Sequence, residues 1–216
     1  IQGMSTSSSL SVGVPGTVAG MGYVYEKYAT LPWKDLVYPS FLLAKYGFEL
    51  DLHNHYLFNN PSLINKLNQD KVSRKVFVEN KSYNLKDNII QAELAETLLR
   101  IANYGYKEFY FGQTADNIIS CMNRKNGIIS YDDLASYRVN ELNPIEFKYR
   151  DYNVISMPPS SSGGITLAII LNQLENLDFS DMMFQDYQHV HYMAEISKLA
   201  YVDRYKYLGD INFIDI

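Results

Sequence analysis

The spacing of apolar residues changes once along this chain, and that change limits what it can fold into. In the first two thirds, apolar and half-polar residues recur at steps of three and four: Val18, Met21, Tyr25 and Tyr28, then Ile90, Leu94, Thr97, Leu98 and Ile101. Such steps place side chains on one face of a helix. From Ile145 the step shortens to two. Ile145, Phe147 and Tyr149 alternate with Glu146, Lys148 and Arg150, and Tyr152, Val154 and Ser156 alternate with Asn153, Ile155 and Met157. Residues two apart share a face of a strand, so this stretch predicts a hairpin turning at Arg150-Asp151. Met157-Pro158-Pro159 ends it, because proline has no N–H for a ladder. After Ser160–Gly164, residues Ile165 to Leu177 are apolar on nearly every face, which predicts a helix buried on all sides. A helical run followed by a hairpin and more helices makes an α+β chain, rich in helix.

Turn and cap residues set the expected boundaries. Residues 1–15 read as a loose lead-in ending at Gly13-Val14-Pro15-Gly16. Thr30 and Pro32 mark a second helix start, since proline suits a first helical turn. That helix directs Leu36, Val37, Phe41 and Ala44 inward; Pro39 is expected to kink or divide it, and Gly47 to stop it. Asn59-Asn60-Pro61 is a turn, residues 62–68 a short helix, and Val76-Phe77-Val78 a short strand. A helix from Thr114 to about Lys125 turns Ile118, Ile119 and Met122 inward, with Gly127 as terminator. Ser130 and Asp133 have the spacing of a capping box. The last helix runs from about Gln185 to Tyr207 and shows Tyr187, Val190, Ala194, Tyr201 and Tyr205. The chain therefore reads as a single segment, 1–216: 1–140 mostly helical, 144–157 a strand hairpin, 163–207 helices. No internal repeat and no linker-like composition break divides it.

Composition excludes several classes. With 47% apolar and 20% charged residues in 216, the chain is too apolar for a disordered tail. A net charge of −5 argues against nucleic acid or an anionic membrane as partner. A single cysteine, Cys121, excludes an internal disulfide framework and a cysteine zinc cage. No charged residue precedes Glu26, yet that stretch is Ser/Gly/Thr-rich and broken by Pro15, so it is no membrane span. The chain opens Ile1-Gln2-Gly3 rather than on Met, with no signal sequence, and is expected to come from the middle of a longer one.

Few residues propose chemistry. Ser160-Ser161-Ser162-Gly163-Gly164 offers hydroxyls and free amides at a helix start, where a carboxylate or phosphate would fit. Without a lysine or a phosphate-loop spacing, the favoured reading is a structural N-cap whose glycines allow close packing. His53-x-His55 would share a face on a strand. On a helix, two residues apart point about 200° away from each other, so His189 and His191 cannot share one ion. His191 and Glu195 lie one turn apart and read as a hydrogen-bonded surface pair. Two ligands are too few for zinc. Asp132-Asp133 reads as a cap, Asp203-Arg204 as a local ion pair, and Cys121 as a buried structural thiol among Ile118, Ile119 and Met122. There is no nucleophile elbow, no GxGxxG and no phosphate loop.

Several segments in order resemble one family. Val14-Pro15-Gly16-Thr17-Val18-Ala19-Gly20 matches VPGTVAG, and Tyr28-Ala29-Thr30-Leu31-Pro32-Trp33 is similar to YGTLPW, with Ala29 in place of glycine. Gln91 to Leu98, Phe109-Tyr110-Phe111-Gly112 and Gly127 to Tyr137 follow. Tyr149-Arg150-Asp151-Tyr152 with Met157 to Gly164 then resembles YRGY…MPPPSSGG, with Asp151 for a glycine and Ser160 for a proline. Leu171 to Glu175, Ala200 to Arg204 and Tyr207 to Asp210 complete the order. Together they resemble the large subunit of γ-glutamyltranspeptidases, also called glutathione hydrolases.

The resemblance implies a helix-rich part of the αββα sandwich of N-terminal-nucleophile (Ntn) hydrolases. It also implies a precursor that cuts itself in two, the small subunit then carrying a threonine nucleophile whose α-amino group serves as base. The expected partner is that small subunit, in a heterodimer. The expected reaction is transfer of a γ-glutamyl group from glutathione or another donor to water, amino acids or peptides, in the periplasm or outside the cell. No catalytic, substrate-binding or metal-ligating residue of the family maps onto these positions: its donor-gripping arginine lies in a segment before Ile1, and the first arginine here is Arg74. No cofactor is implied, and this chain alone is expected to be inactive. A cephalosporin acylase, a poly-γ-glutamate transpeptidase, or a helical binding or structural module without catalysis are the alternatives.

Overall fold

The computed structural model describes residues 4–79, 82–180 and 182–209, apart from the side chains of Thr6 and Ser7. The chain forms two compact units, Ile1–Val139 and Asn140–Ile216.

The first unit is helical around a two-stranded ribbon. Its elements are α1 (Met4–Ser7), α2 (Thr17–Tyr28), α3 (Trp33–Tyr46), β1 (Phe48–Glu49), α4 (Leu52–Phe58), α5 (Pro61–Asn68), α6 (Lys71–Phe77), β2 (Asn88–Ile89), α7 (Ala92–Tyr104), α8 (Glu108–Phe111), α9 (Gln113–Lys125) and α10 (Tyr131–Ser136). Helices α3 and α7 pack through Phe41, Ala44 and Ala95, with Leu98 and Leu99 closing the seam. The small side chains at 44 and 95 let the two backbones approach. Both helices stop at glycines with positive φ, Gly47 at 86° and Gly105 at 83°, where a side chain would strain the backbone. A second cluster joins Tyr110, Ala115, Ile119, Ile129 and Leu134, with Val14, Val18 and Ala19 against it. Antiparallel β1 and β2 pair Phe48 with Ile89 and Glu49 with Asn88, over a third cluster of Leu50, Tyr83 and Ile89.

Local expectations and structure part at identifiable places. Residues 1–3 of the expected loose lead-in lie outside the described residues, and from Met4 on it is ordered: the Ser8 hydroxyl donates to the Met4 carbonyl and accepts from Leu10 N–H, holding α1 and a 3-10 turn at Ser9–Ser11. Val76 and Phe77 are helical rather than extended, because Asp70 caps α6 by accepting from Ser73 N–H at 2.8 Å. Phe77 then stacks on Phe58, centroids 5.8 Å apart. Pro39 neither divides nor ends α3. The hydrogen bond it forgoes belongs to the Asp35 carbonyl, on an exposed face where water can replace it. On α7 the buried positions are Ala95, Ile101 and Ala102, while Leu94 is exposed and Ile90, also exposed, lies ahead of the helix. The left-handed residue ending α9 is Asn126, at φ 54°, one before Gly127.

The second unit contains β3 (Ile145–Tyr149), β4 (Tyr152–Ser156), α11 (Gly163–Glu175) and α12 (Tyr187–Tyr207). The hairpin has the alternation and register that the sequence indicates, from Ile145 opposite Ser156 to Tyr149 opposite Tyr152. Arg150 takes the left-handed turn position, φ 51°, and its N–H donates to Glu175 Oε1 at 3.1 Å. Helix α11 is not buried on all sides: only Gly164, Thr166 and Leu174 are fully buried, and Leu167 is exposed. On α12, Tyr187, Val190, Tyr201 and Tyr205 face solvent, and Ile196 and Ala200 are the buried pair. The whole is a helix-rich α+β chain whose described strands form two antiparallel pairs.

Candidate functional site

The serine–glycine turn is the part of the sequence with most chemical promise, and the structure places it between β4 and α11. Ser162 is the N-cap of α11 through its backbone, its carbonyl accepting from Thr166 N–H at 3.0 Å and the Thr166 hydroxyl at 2.8 Å. No side chain caps the helix in the usual way. Instead the Ser162 hydroxyl accepts from Arg204 Nε at 2.7 Å, across from α12. The Arg204 guanidinium also lies 5.6 Å from the Tyr201 ring centre. Sequence reasoning paired Arg204 with its neighbour Asp203; helical spacing instead sets it over Tyr201, one turn earlier, and frees its Nε for the serine. Pro159, Ser160, Ser161 and Arg204 help line an open cleft of about 350 Å³. A side chain at Gly164 would collide with the Met157 carbonyl. The turn is thus a close backbone joint, with hydroxyls and one guanidinium facing the cleft.

A buried polar hub in the first unit escaped sequence reasoning. Glu108, with its side chain 5% exposed, accepts from Arg100 Nε at 3.2 Å. It also accepts from Thr114 N–H at 3.1 Å and from the Thr114 hydroxyl at 2.7 Å. Arg100 Nη2 reaches Thr97 and Thr114 hydroxyls at 3.1 and 3.3 Å. The carboxylate meets an early amide of α9, where a helix end favours negative charge. The legible hint was an acidic residue just ahead of a helix start bearing threonine. The Glu108 carboxylate draws its donors from Arg100 and Thr114, and so ties α7, α8 and α9 together.

An open cleft of about 610 Å³ is lined by Tyr23, Glu26, Tyr106, Lys107, Tyr110 and Arg138, among others. The Tyr106 hydroxyl donates to Glu26 Oε1 at 2.9 Å, and that carboxylate raises the phenol's pKa.

The remaining candidates scatter. His53 and His55 lie on α4 and His189 and His191 on α12, so neither pair shares a face. His189 Nδ1 accepts from Gln185 N–H at 3.3 Å. Glu195 pairs with Lys198 at 2.7 Å rather than with His191, and Lys198 holds its carboxyl below the usual range. Ser130 and Asp133 form the expected capping box, and Ser130 lowers the pKa of Asp133. Cys121 is half-buried rather than buried. Among the described residues no three His, Cys, Asp or Glu side chains are placed to hold a metal ion. Nor is any described helix long and apolar enough to cross a membrane.

Residues 2–216 match the family model described as Gamma-glutamyltranspeptidase. The chain is 40% identical over 215 residues to a Glutathione hydrolase proenzyme of Escherichia coli (strain K12), covering 98% of this chain and 37% of that protein. It is 39% identical over 217 residues to a Glutathione hydrolase proenzyme of Pseudomonas sp. (strain A14), spanning 99% of this chain and 37% of the relative. Its fold is similar to that of the Helicobacter pylori gamma-glutamyltranspeptidase crystal structure. There the TM-score is 0.93 at 36% identity, over 100% of this chain and 62% of that one. The chain therefore spans little more than a third of the length of the curated relatives it matches.

Proposed function

This chain belongs to the gamma-glutamyltranspeptidase family, and on that premise we propose that it is a large-subunit segment of a processed, two-subunit γ-glutamyltransferase and glutathione hydrolase. The reaction is cleavage of the γ-glutamyl amide of glutathione. A threonine hydroxyl at the start of the small subunit attacks the γ-carbonyl, and its own α-amino group takes the proton. Backbone amides hold the oxyanion, the amine leaves, and water or an amino acid or peptide accepts the γ-glutamyl group from the acyl-enzyme. The small subunit is the partner and glutathione, or a similar γ-glutamyl amide, the donor. By analogy with exported bacterial members, the enzyme works in the periplasm or outside the cell.

The observation that carries this reading is the extent of the match, residues 2–216 of 216, with relatives named as proenzymes. Within it, the part of these residues is scaffolding. The Glu108 hub locks three helices of the first unit together. The joint of Gly164 against Met157 fixes how a strand ribbon hands over to α11 in the second.

The test uses the parent reading frame. The full precursor, expressed and purified, is expected to yield two subunits by mass spectrometry and to hydrolyse γ-glutamyl-p-nitroanilide. The 216-residue chain alone is expected to give no turnover. A processed protein without that hydrolysis, or turnover by the isolated chain, overturns the proposal.

A further inference from the structure

Helix α9 ends on Asn126 and the next residue is Gly127, the single Asn-Gly pair of the sequence. Such a pair carries a reaction within itself. The glycine nitrogen can attack the side-chain carbonyl carbon of the asparagine, because glycine has no Cβ to obstruct the approach. A bond from that nitrogen to Cγ forms, the nitrogen gives its proton to water, and the Cγ–Nδ2 bond breaks with release of ammonia. Water then opens the five-membered imide at one of its two carbonyls, leaving aspartate or isoaspartate. The co-reactant is water alone, and Asn126 is exposed to it.

The fold holds this pair in an arrangement that cannot react. At φ 54° and ψ 39°, the Gly127 nitrogen lies across the Cα–C bond from Cβ, so Cγ reaches it only after rotation about ψ. The nitrogen is also engaged, its N–H donating to the Met122 carbonyl at 2.8 Å. Rotation therefore breaks that bond and unwinds the last turn of α9. Two contacts from distant residues resist the unwinding. The Ser9 hydroxyl donates to the Lys125 carbonyl at 2.6 Å, and the Lys125 ammonium pairs with Asp70. Helix ends nevertheless open more readily than the body of a fold.

We propose that Asn126 is a self-modifying site, converted to aspartate or isoaspartate by the Gly127 nitrogen and water, at a rate set by opening of the end of α9. The conversion reinforces itself. Isoaspartate routes the main chain through the side chain and adds a methylene, so the left-handed cap and the Gly127–Met122 bond cannot re-form. Aspartate adds a negative charge at a helix C-terminus, where the peptide dipole disfavours it. Either product leaves the end of α9 looser, and with it the Ser9 and Asp70 contacts. The site acts as a conformation-gated clock on the first unit, whatever reaction the full enzyme performs.

The experiment ages the full-length protein in mildly alkaline buffer. Mass spectrometry follows the peptide containing residue 126, and enzymatic carboxyl methylation reads isoaspartate. The folded protein is expected to convert about ten- to a hundredfold more slowly than the urea-unfolded one, because only the open helix end reacts. Equal rates overturn the gate. A folded protein that stays unconverted at 126 after about a hundred half-times of the unfolded one overturns the site. Ser9→Ala removes one exposed contact on the helix end and is expected to speed conversion of the folded protein about threefold. An unchanged rate removes the α9 end as the gate. Asn126→Gly keeps the left-handed cap and has no amide to lose. Its thermal midpoint is expected to hold through an incubation that lowers that of the parent protein, and an equal fall in both shows that conversion at 126 does not loosen the fold.

Discussion

Glu108 and Thr114 hold each other twice: the carboxylate accepts the threonine's N–H at 3.1 Å through one oxygen and its hydroxyl at 2.7 Å through the other. The same carboxylate accepts Arg100 Nε at 3.2 Å. A buried carboxylate with three donors positions groups well, but its removal strands all three. Glu108→Ala is expected to cost about 2–4 kcal/mol, the penalty for breaking a buried, hydrogen-bonded pair. Thr114→Val keeps the shape and the backbone bond, and is expected to cost about 1 kcal/mol. Urea titrations of the variants measure both, and a neutral Glu108→Ala would remove the hub from the account of stability.

Gly22 and Gly20 sit two residues apart on α2 and predict opposite signs. The Tyr106 ring fills the space a side chain at 22 would occupy, whereas nothing lies within 4 Å of a side chain at 20. Gly22→Ala is expected to destabilise by about 1–3 kcal/mol through overpacking. Gly20→Ala is expected to stabilise by about 0.5–1 kcal/mol, because alanine is the better helix former. Thermal midpoints of the two variants moving the same way would refute the packing.

Gly164 and Gly163 make a similar pair in the second unit. A side chain at 164 would strike the Met157 carbonyl, a backbone atom that cannot rotate away; at 163 it would meet only Ser161 Oγ at 3.5 Å. Gly164→Ala is expected to lose about 2–4 kcal/mol and Gly163→Ala less than about 0.5 kcal/mol. In the full precursor, the first is also expected to slow conversion to two subunits, read on denaturing gels.

Asp70 predicts an acid-side dependence. Lys125 first, and then Ser73 N–H, hold its carboxyl far below its ordinary 3.8. A depressed carboxyl stabilises the fold while ionised in both states, and that contribution fades as pH falls through the unfolded value toward the folded one. It is therefore complete above about pH 5 and declines below about pH 4. The pair is partly exposed, with side chains 47% and 30% accessible, so its worth is about 1 kcal/mol or less. Asp70→Asn preserves the cap but not the titration. The gap in urea midpoint between the two proteins is expected to narrow as pH is lowered from about 6 to about 3. A gap that is constant over that range would show that the carboxylate's charge contributes nothing.

Period and punctuation made much of the fold legible. The alternation located a hairpin turning at Arg150-Asp151, and Ser130 with Asp133 located a cap, since each signal lies within a few residues. The strand expected at Val76–Val78 failed because β-branched residues express a preference worth less than a capped helix turn with Phe58 to pack against. The stripes expected on α2, α7 and α12 were real as spacing. Which side of each helix is covered depends on residues distant in sequence, and periodicity carries no such information. The Arg100–Glu108–Thr114 hub and the Arg204–Ser162 bond escaped for the same reason, because long side chains choose partners only once helices are packed.

By itself the sequence determined the class of the chain, its longer helices and the Ile145–Ser156 hairpin, and its family, because these reside in local spacing and in motifs read one after another. Tertiary structure alone decided that the apolar stripe of Met21, Val24 and Tyr28 bounds an open groove rather than a core, and that Gly22 and Gly164 are places where no side chain fits. Burial and close approach are properties of pairs of surfaces, and a linear pattern specifies only one surface of each pair.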